Sequence, residues 1–200
     1  AAAAQADRIV DCKVSVTDDA LVVDNVAEGN RLVPCYWLPG ASGKYEPPPA
    51  FQAEDDWLAS LTLTFRNRTN QTIVYASIGL GFPQAQPERI VPVSLGRIPA
   101  NAAFDNRGRP LQQGGRTPLA LGPGQTLVVR VGDYTREIKG TLEPVPAGPV
   151  TNLVVHLTRC YFADGMRWSP GTYALPDPGN PGQWKAMQPR SYFPGDRHGQ

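Results

Sequence analysis

The sequence predicts an all-β protein: an antiparallel sandwich of about seven to eight strands, one short helix and an extended Pro-rich C-terminal arm. Three observations predict it. Apolar and polar residues alternate in run after run, the period of a strand with one buried face. Gly and Pro number 20 and 21, which supplies many turns and disfavours long helices. No strand–helix–strand alternation calls for parallel crossovers. At 200 residues the chain can bury a core without a metal or dense disulfides.

Taken in order, Val10, Cys12, Val14 and Val16 alternate with polar residues as a half-buried strand. Asp18-Asp19 turns into Leu21-Val22-Val23. Arg31 to Leu38 sets Val33, Cys35 and Trp37 on one face, and residues 39–50 follow as a Pro- and Gly-rich surface loop. Leu61, Leu63 and Phe65 point one way and Thr62, Thr64 and Arg66 the other. After the turn residues 67–71, the same period runs from Ile73 to Phe82, so the two segments predict an antiparallel hairpin. Asn67-Arg68-Thr69 and Asn70-Gln71-Thr72 match the glycosylation sequon, and in a turn this pattern reads first as Asn/Thr turn chemistry.

Ile90 to Ile98 is the next strand. Asn101 to Arg116 is a long, Gly-rich loop carrying Arg107, Arg109 and Arg116, a length that reads equally as a binding loop or as a solvated excursion. Leu121-Gly122-Pro123-Gly124-Gln125 turns into a strand with Leu127, Val129 and Val131 inward. Asp133 opens the short helix, whose Tyr134, Ile138 and Leu142 share a face, and the prolines of residues 144–149 end it. Val150 to Phe162 is a long strand, and beyond Ala163-Asp164-Gly165 Trp168 packs back on it or begins an edge strand. These boundaries divide the chain into an Ala-rich segment 1–8, a sandwich domain 9–169 and the arm 170–200.

Two stretches resemble a known group. One is Asp55-Asp56-Trp57-Leu58 leading into Leu61-Thr62-Leu63-Thr64-Phe65-Arg66-Asn67-Arg68-Thr69, then Ile73-Val74-Tyr75 and Gly81-Phe82-Pro83. The other is Tyr161-Phe162-Ala163-Asp164-Gly165-Met166-Arg167-Trp168-Ser169, then Gly171-Thr172-Tyr173. With the 121–125 turn they resemble a family of uncharacterised exported bacterial proteins, across roughly residues 50–185. The resemblance implies an immunoglobulin-like sandwich and export. The family has no assigned activity, so it implies no substrate or site residue.

The net charge of +1 and the lack of a basic run disfavour nucleic acid and anionic lipid as partners, and no stretch is long enough for a membrane span. Ala4-Gln5-Ala6 resembles a signal-peptidase site, which adds to the expectation of a periplasmic or extracellular protein. Of the three cysteines, Cys12 and Cys35 are the first choice for a disulfide, which would stabilise by roughly 3 kcal/mol, and Cys35–Cys160 is the second.

Catalytic chemistry is sparse. His156 and His198 are the only histidines, and no cofactor fingerprint or metal-ligand spacing occurs. His156 and Cys160 sit on one expected face but too far apart for a thiolate pair. Glu54, Asp55 and Asp56 offer carboxylates for calcium, though acidic residues before a strand more often line a solvated turn; Asp177, Asn180 and Asp196 are read the same way. Trp184 lies outside any strand pattern and is the best aromatic anchor, with Tyr192 and Phe193 further along the arm. A free terminus of this composition orders only when tied down, so the arm predicts a surface to pack on, its own or a neighbour's. The expectation is a non-enzymatic structural or interaction subunit of a larger assembly, with Arg107, Arg109, Trp184, Tyr192 and Phe193 in contact with protein partners. The alternative is a carbohydrate- or small-ligand-binding module, which requires two exposed, coplanar tryptophans. No cofactor is expected in either case.

Overall fold

In a computed structural model, residues 5–12, 19–39, 44–105, 107–111, 117–143 and 149–187 are described. In chain order the elements are β1 (Ala6–Asp11), β2 (Leu21–Glu28), β3 (Arg31–Leu32), β4 (Leu38–Pro39), β5 (Tyr45–Glu46), β6 (Phe51–Ala53), α1 (Trp57–Ser60), β7 (Leu61–Asn67), β8 (Ile73–Phe82) and β9 (Arg89–Gly96). Then follow β10 (Thr126–Arg130), α2 (Thr135–Leu142), β11 (Asn152–Phe162), β12 (Arg167–Ser169), β13 (Thr172–Pro176) and β14 (Trp184–Met187). The all-β expectation holds, with more and shorter strands than expected and a second short helix, α1.

Two sheets enclose the core. The smaller runs β10-β7-β2-β3. The larger is centred on β11, whose one edge pairs with β8 and, through it, β9. Its other edge is shared end to end: β1 pairs along Asn152–Val154 and β12 along Cys160–Tyr161. The β1–β11 pairing is parallel, a departure from the purely antiparallel expectation. Leu61, Leu63 and Phe65 of β7 and Ile78, Leu80 and Phe82 of β8 meet in this core, where all six are sealed from solvent. Truncating one of these phenylalanines to alanine costs about 3–5 kcal/mol on the usual scale.

The expected 61–82 hairpin is not formed. β7 and β8 lie in different sheets, so the 68–72 turn carries the chain across the sandwich as an arch. Alternation is the same for a hairpin and an arch, since each strand buries one face either way. The arch is held by Asn67, a buried residue. Its amide donates to the carbonyls of Gln71 (2.7 Å), Leu121 (2.9 Å) and Gly122 (3.2 Å), and its Oδ1 accepts from Thr69 N and Oγ1. The first sequon is therefore turn chemistry, with its amide nitrogen consumed inside the fold.

The chain continues the large sheet beyond Ser169. β13 pairs with β12, and β14 with β13, bringing Trp184 opposite Pro176. At the opposite end of the chain β1 begins at Ala6. Arg8 on it is fully buried, donating to Val150 O (3.1 Å), Glu54 O (3.4 Å) and Asp55 Oδ1 (2.7 Å).

Candidate functional site

Two residues that sequence reading singled out, Trp184 and His156, lie over the outer face of the large sheet, one in each half of it. One half is covered. Tyr75 of β8 and Tyr161 of β11 are cross-strand partners with ring centroids 5.7 Å apart. Ile98, Ala102 and Ala103 from the segment after β9 bury against them, and Trp184 of β14 packs on this cluster with its ring 6.0 Å from Tyr161. The Arg167 guanidinium lies 4.0 Å from the Trp184 centroid, a cation–π contact, and burial pushes its pKa down.

The arginine loop is tied to this cluster. Asp105 Oδ1 accepts the backbone N–H groups of Arg107 (2.8 Å) and Arg109 (2.9 Å), and its Oδ2 takes the Arg109 side chain at 2.8 Å. The Arg109 amide, above all, holds the Asp105 carboxyl below the ordinary range. The turn between β13 and β14 is built the same way around Asp177. The Gly179 N–H and then the Asn180 side chain stabilise its carboxylate, and Lys185 stands 3.4 Å away. The two turns meet backbone to backbone. Gly182 (φ +87) abuts the Asp105 carbonyl and Gly108 N, and Gly108 (φ +73) abuts the Pro181 carbonyl. Three residues expected to touch partners, Arg107, Arg109 and Trp184, are thus gathered into one junction. Trp184 is engaged within the chain, while Arg107 and Arg109 are exposed. Tyr192 and Phe193 lie outside the described residues, as do Arg116, Asp196 and His198.

The other half of the face is open. Gly79 and Gly81 of β8 carry no side chain, and His156 leans over them to reach Glu88 Oε1 at 3.2 Å. A Cβ on Gly81 would stand 2.5 Å from that oxygen and 2.6 Å from His156 Nε2, so the pair exists because the strand beneath is bare. Chemically it is a partly exposed His–carboxylate pair linking β11 to the β8–β9 connection. Sequence reading placed His156 and Cys160 on one face. A β-bulge between Leu157 and Arg159 reverses the alternation, so His156 points outward and Cys160 into the core.

The expected Cys12–Cys35 disulfide is not formed. All three cysteines are buried free thiols, with no pair at bonding distance. Cys12 and Cys35 are nonetheless neighbours. The Cys12 N–H donates to the Cys35 carbonyl at 2.8 Å. The interaction between their side chains raises the Cys12 pKa, as burial also does, and lowers that of Cys35 against the upward pull of burial. Cys160 sits apart in the core, where burial pushes its thiol far up.

Among the acidic residues, Asp55 is committed to Arg8, and Asp55 and Asp56 line an open cleft of about 720 Å³ with Leu58, Ile138, Leu142 and Val150. Among the described residues no three His, Cys, Asp or Glu side chains converge on a metal position. Trp57 and Trp168 are core residues. Trp37 donates to Asp11 at 2.8 Å. Asp11 is level with Val154 on β11, and Trp184 with Tyr161, so Trp37 and Trp184 are separated by about 20 Å along the strand. No two tryptophans form an exposed coplanar platform. Searches with family models, against curated proteins and against solved structures each returned no match.

Proposed function

We propose that this chain is a non-enzymatic, exported interaction subunit of a larger assembly, built on an immunoglobulin-like sandwich. The fold part of this reading is supported by strand order. β2-β7-β10 against β9-β8-β11-β12 follows the order of strands A-B-E against C′-C-F-G. The observation that carries the functional part is the junction of the 99–111 loop with the β13–β14 turn. Two exposed segments far apart in sequence are fixed to each other by paired glycine contacts and by carboxylate-bound turns. Such a junction presents Arg107, Arg109 and Lys185 from a rigid base, so a partner meets them at low ordering cost. A carbohydrate-binding reading lacks the aromatic platform it requires.

The test is the native mass of the full chain by light scattering at several concentrations and two salt concentrations. The reading expects a mass above 21.6 kDa that rises with concentration, falls with salt and reverts to the monomer in Arg107→Glu. A monomer under every condition removes self-assembly. An oligomer indifferent to Arg107→Glu moves the contact away from the junction.

A further inference from the structure

We propose that the cleft between α1 and α2 binds a small cationic amphiphile, a molecule with one ammonium head and an apolar body. The proposal does not rest on the assembly reading, since the cleft and the loop–turn junction share no residue. The cleft encloses about 720 Å³, within the range that holds small ligands. Ile138 and Leu142 stand four residues apart on one face of α2 and line it together with Leu58 of α1 and Val150. Leu58, Leu142 and Val150 pack on the core yet stay only half-buried, so apolar surface is left for a ligand body to cover.

The walls are tied to one another. Val150 O accepts the Trp57 indole N–H at 3.0 Å and an Arg8 N–H at 3.1 Å. The same guanidinium holds Asp55 at 2.7 Å. Gly132, just ahead of α2, lies against the Ala59 carbonyl, where a Cβ would stand 2.5 Å from the oxygen. The cleft is therefore held by its own frame, which lowers the ordering cost of filling it. Charge selects the head group. Asp55, Asp56 and Glu143 stand on the lining with a single cation, Lys139. Arg8 neutralises Asp55. Among the described residues Asp56, Glu143 and Lys139 form no ion pair, so uncompensated carboxylates outnumber the cation. Thr135, the remaining polar side chain of the lining, donates to Gly132 O at 2.7 Å. An anionic head would face two carboxylates with Lys139 as its one charged donor, whereas a cationic head meets both carboxylates. Each methylene that passes from water onto the apolar lining tightens binding by up to about fourfold.

The experiment titrates the full-length chain by calorimetry with hexyl-, octyl- and decyltrimethylammonium and with the alkyl sulfonates of the same lengths, all below their micellar concentrations. The expected result is saturable binding of the ammonium series that tightens about two- to fourfold per methylene. Each ammonium should bind about fivefold or more tightly than the sulfonate of its length. Asp56→Asn/Glu143→Gln should abolish that preference and keep the dependence on chain length, and Leu142→Gln should weaken both series. The two carboxylates are exposed, so the double variant keeps the test decisive even where Leu142→Gln fails to fold. Arg107→Glu should leave every titration unchanged, so a failure here is separate from a failure of the assembly reading. No saturable binding, equal or tighter binding of the sulfonates, or a preference that survives the double variant overturns the proposal.

Discussion

Replacing Gly182 with alanine tests the junction that gathers the candidate site. The residue sits at φ +87, and a Cβ there would overlap the Asp105 carbonyl oxygen and stand 2.8 Å from Gly108 N. Two costs follow. The left-handed backbone alone costs a non-glycine residue about 1–2 kcal/mol. The obstructing atoms are main-chain, and Asp105 is bound to the amides of Arg107 and Arg109, so relief requires moving a whole turn. Overpacking of this kind adds about 1–3 kcal/mol. The sum, about 2–5 kcal/mol, is an upper limit, because the junction can open instead. Opening lifts Trp184 off Tyr161 and Arg167 and uncovers Ile98 and Ala103. Gly171→Ala is the control. Gly171 has φ +73 and nothing within 4 Å of its Cβ position, so it pays the backbone cost without the clash. Thermal unfolding followed by tryptophan fluorescence reads both effects, since a chain of this length loses about 2–4 °C per kcal/mol. Gly182→Ala should unfold lower than Gly171→Ala, or show an altered native emission from Trp184. Equal melting temperatures with identical native emission would mean that the loop and the turn are not locked, and the reasoning about the junction would fall with them.

Other perturbations test the frame around it. Asn67→Ala leaves the Thr69 N–H without its acceptor, whereas Leu121 O keeps the Ile73 amide, Gly122 O the Gln125 amide and the Thr69 hydroxyl Gln71 O, so it should cost about 1–3 kcal/mol in chemical denaturation. Asn67→Asp keeps that acceptor but sets a carboxylate oxygen against the carbonyls of Gln71, Leu121 and Gly122, and should cost at least as much. Arg8→Met should cost only about 1–3 kcal/mol, below the usual figure for breaking a buried ion pair. The exposed Asp55 returns to water, and Val150 O keeps the Trp57 indole donor at 3.0 Å. A loss above that range would show that the guanidinium is needed for the 54–55 segment to fold. Asp105 and Asp177 both titrate below their ordinary 3.8 in the folded state. A depressed carboxyl contributes stability in full above the unfolded value, and loses it as pH falls from there through the folded value. Trp184 emission should therefore shift below about pH 3.8 in the wild-type chain, and the shift should vanish in Asp105→Asn/Asp177→Asn.

Period-2 alternation located β7, β8, β10 and β11 within a residue or two, because each buries one face and the other meets polar surroundings. It was silent on which strand pairs with which. The Asn67 network that sends β8 to the opposite sheet draws on carbonyls of Leu121 and Gly122, more than fifty residues away, and no local pattern encodes that. The bulge near Thr158 was hidden for a related reason. An inserted residue changes the face of everything after it, and Leu157, Thr158 and Arg159 carry no glycine or proline to mark it. Arg8 looked like a polar residue of a leading segment; its burial depends on Val150 and Glu54 arriving from elsewhere. For the site, sequence named Arg107, Arg109 and Trp184 but had no means of joining them. The signal was present in Gly108 and Gly182, whose role depends on meeting each other.

The junction also changes what an assembly contact through this face would require. An aromatic on a free arm anchors a partner by burying its ring there, and Trp184 has already spent that gain on Tyr161 and the Arg167 guanidinium. Recruiting it to a neighbour means first breaking the intramolecular contact, so its net contribution to association is the difference between two burials. Arg107 has no such prior commitment through its side chain among the described contacts, and its backbone is fixed by Asp105. Arg109 is intermediate, since its guanidinium already pairs with Asp105 at 2.8 Å. The three residues that sequence reading treated as equal contacts are therefore graded by their internal bonds. Charge reversal at Arg107 separates partner binding from folding, whereas truncation at Trp184 disturbs both at once.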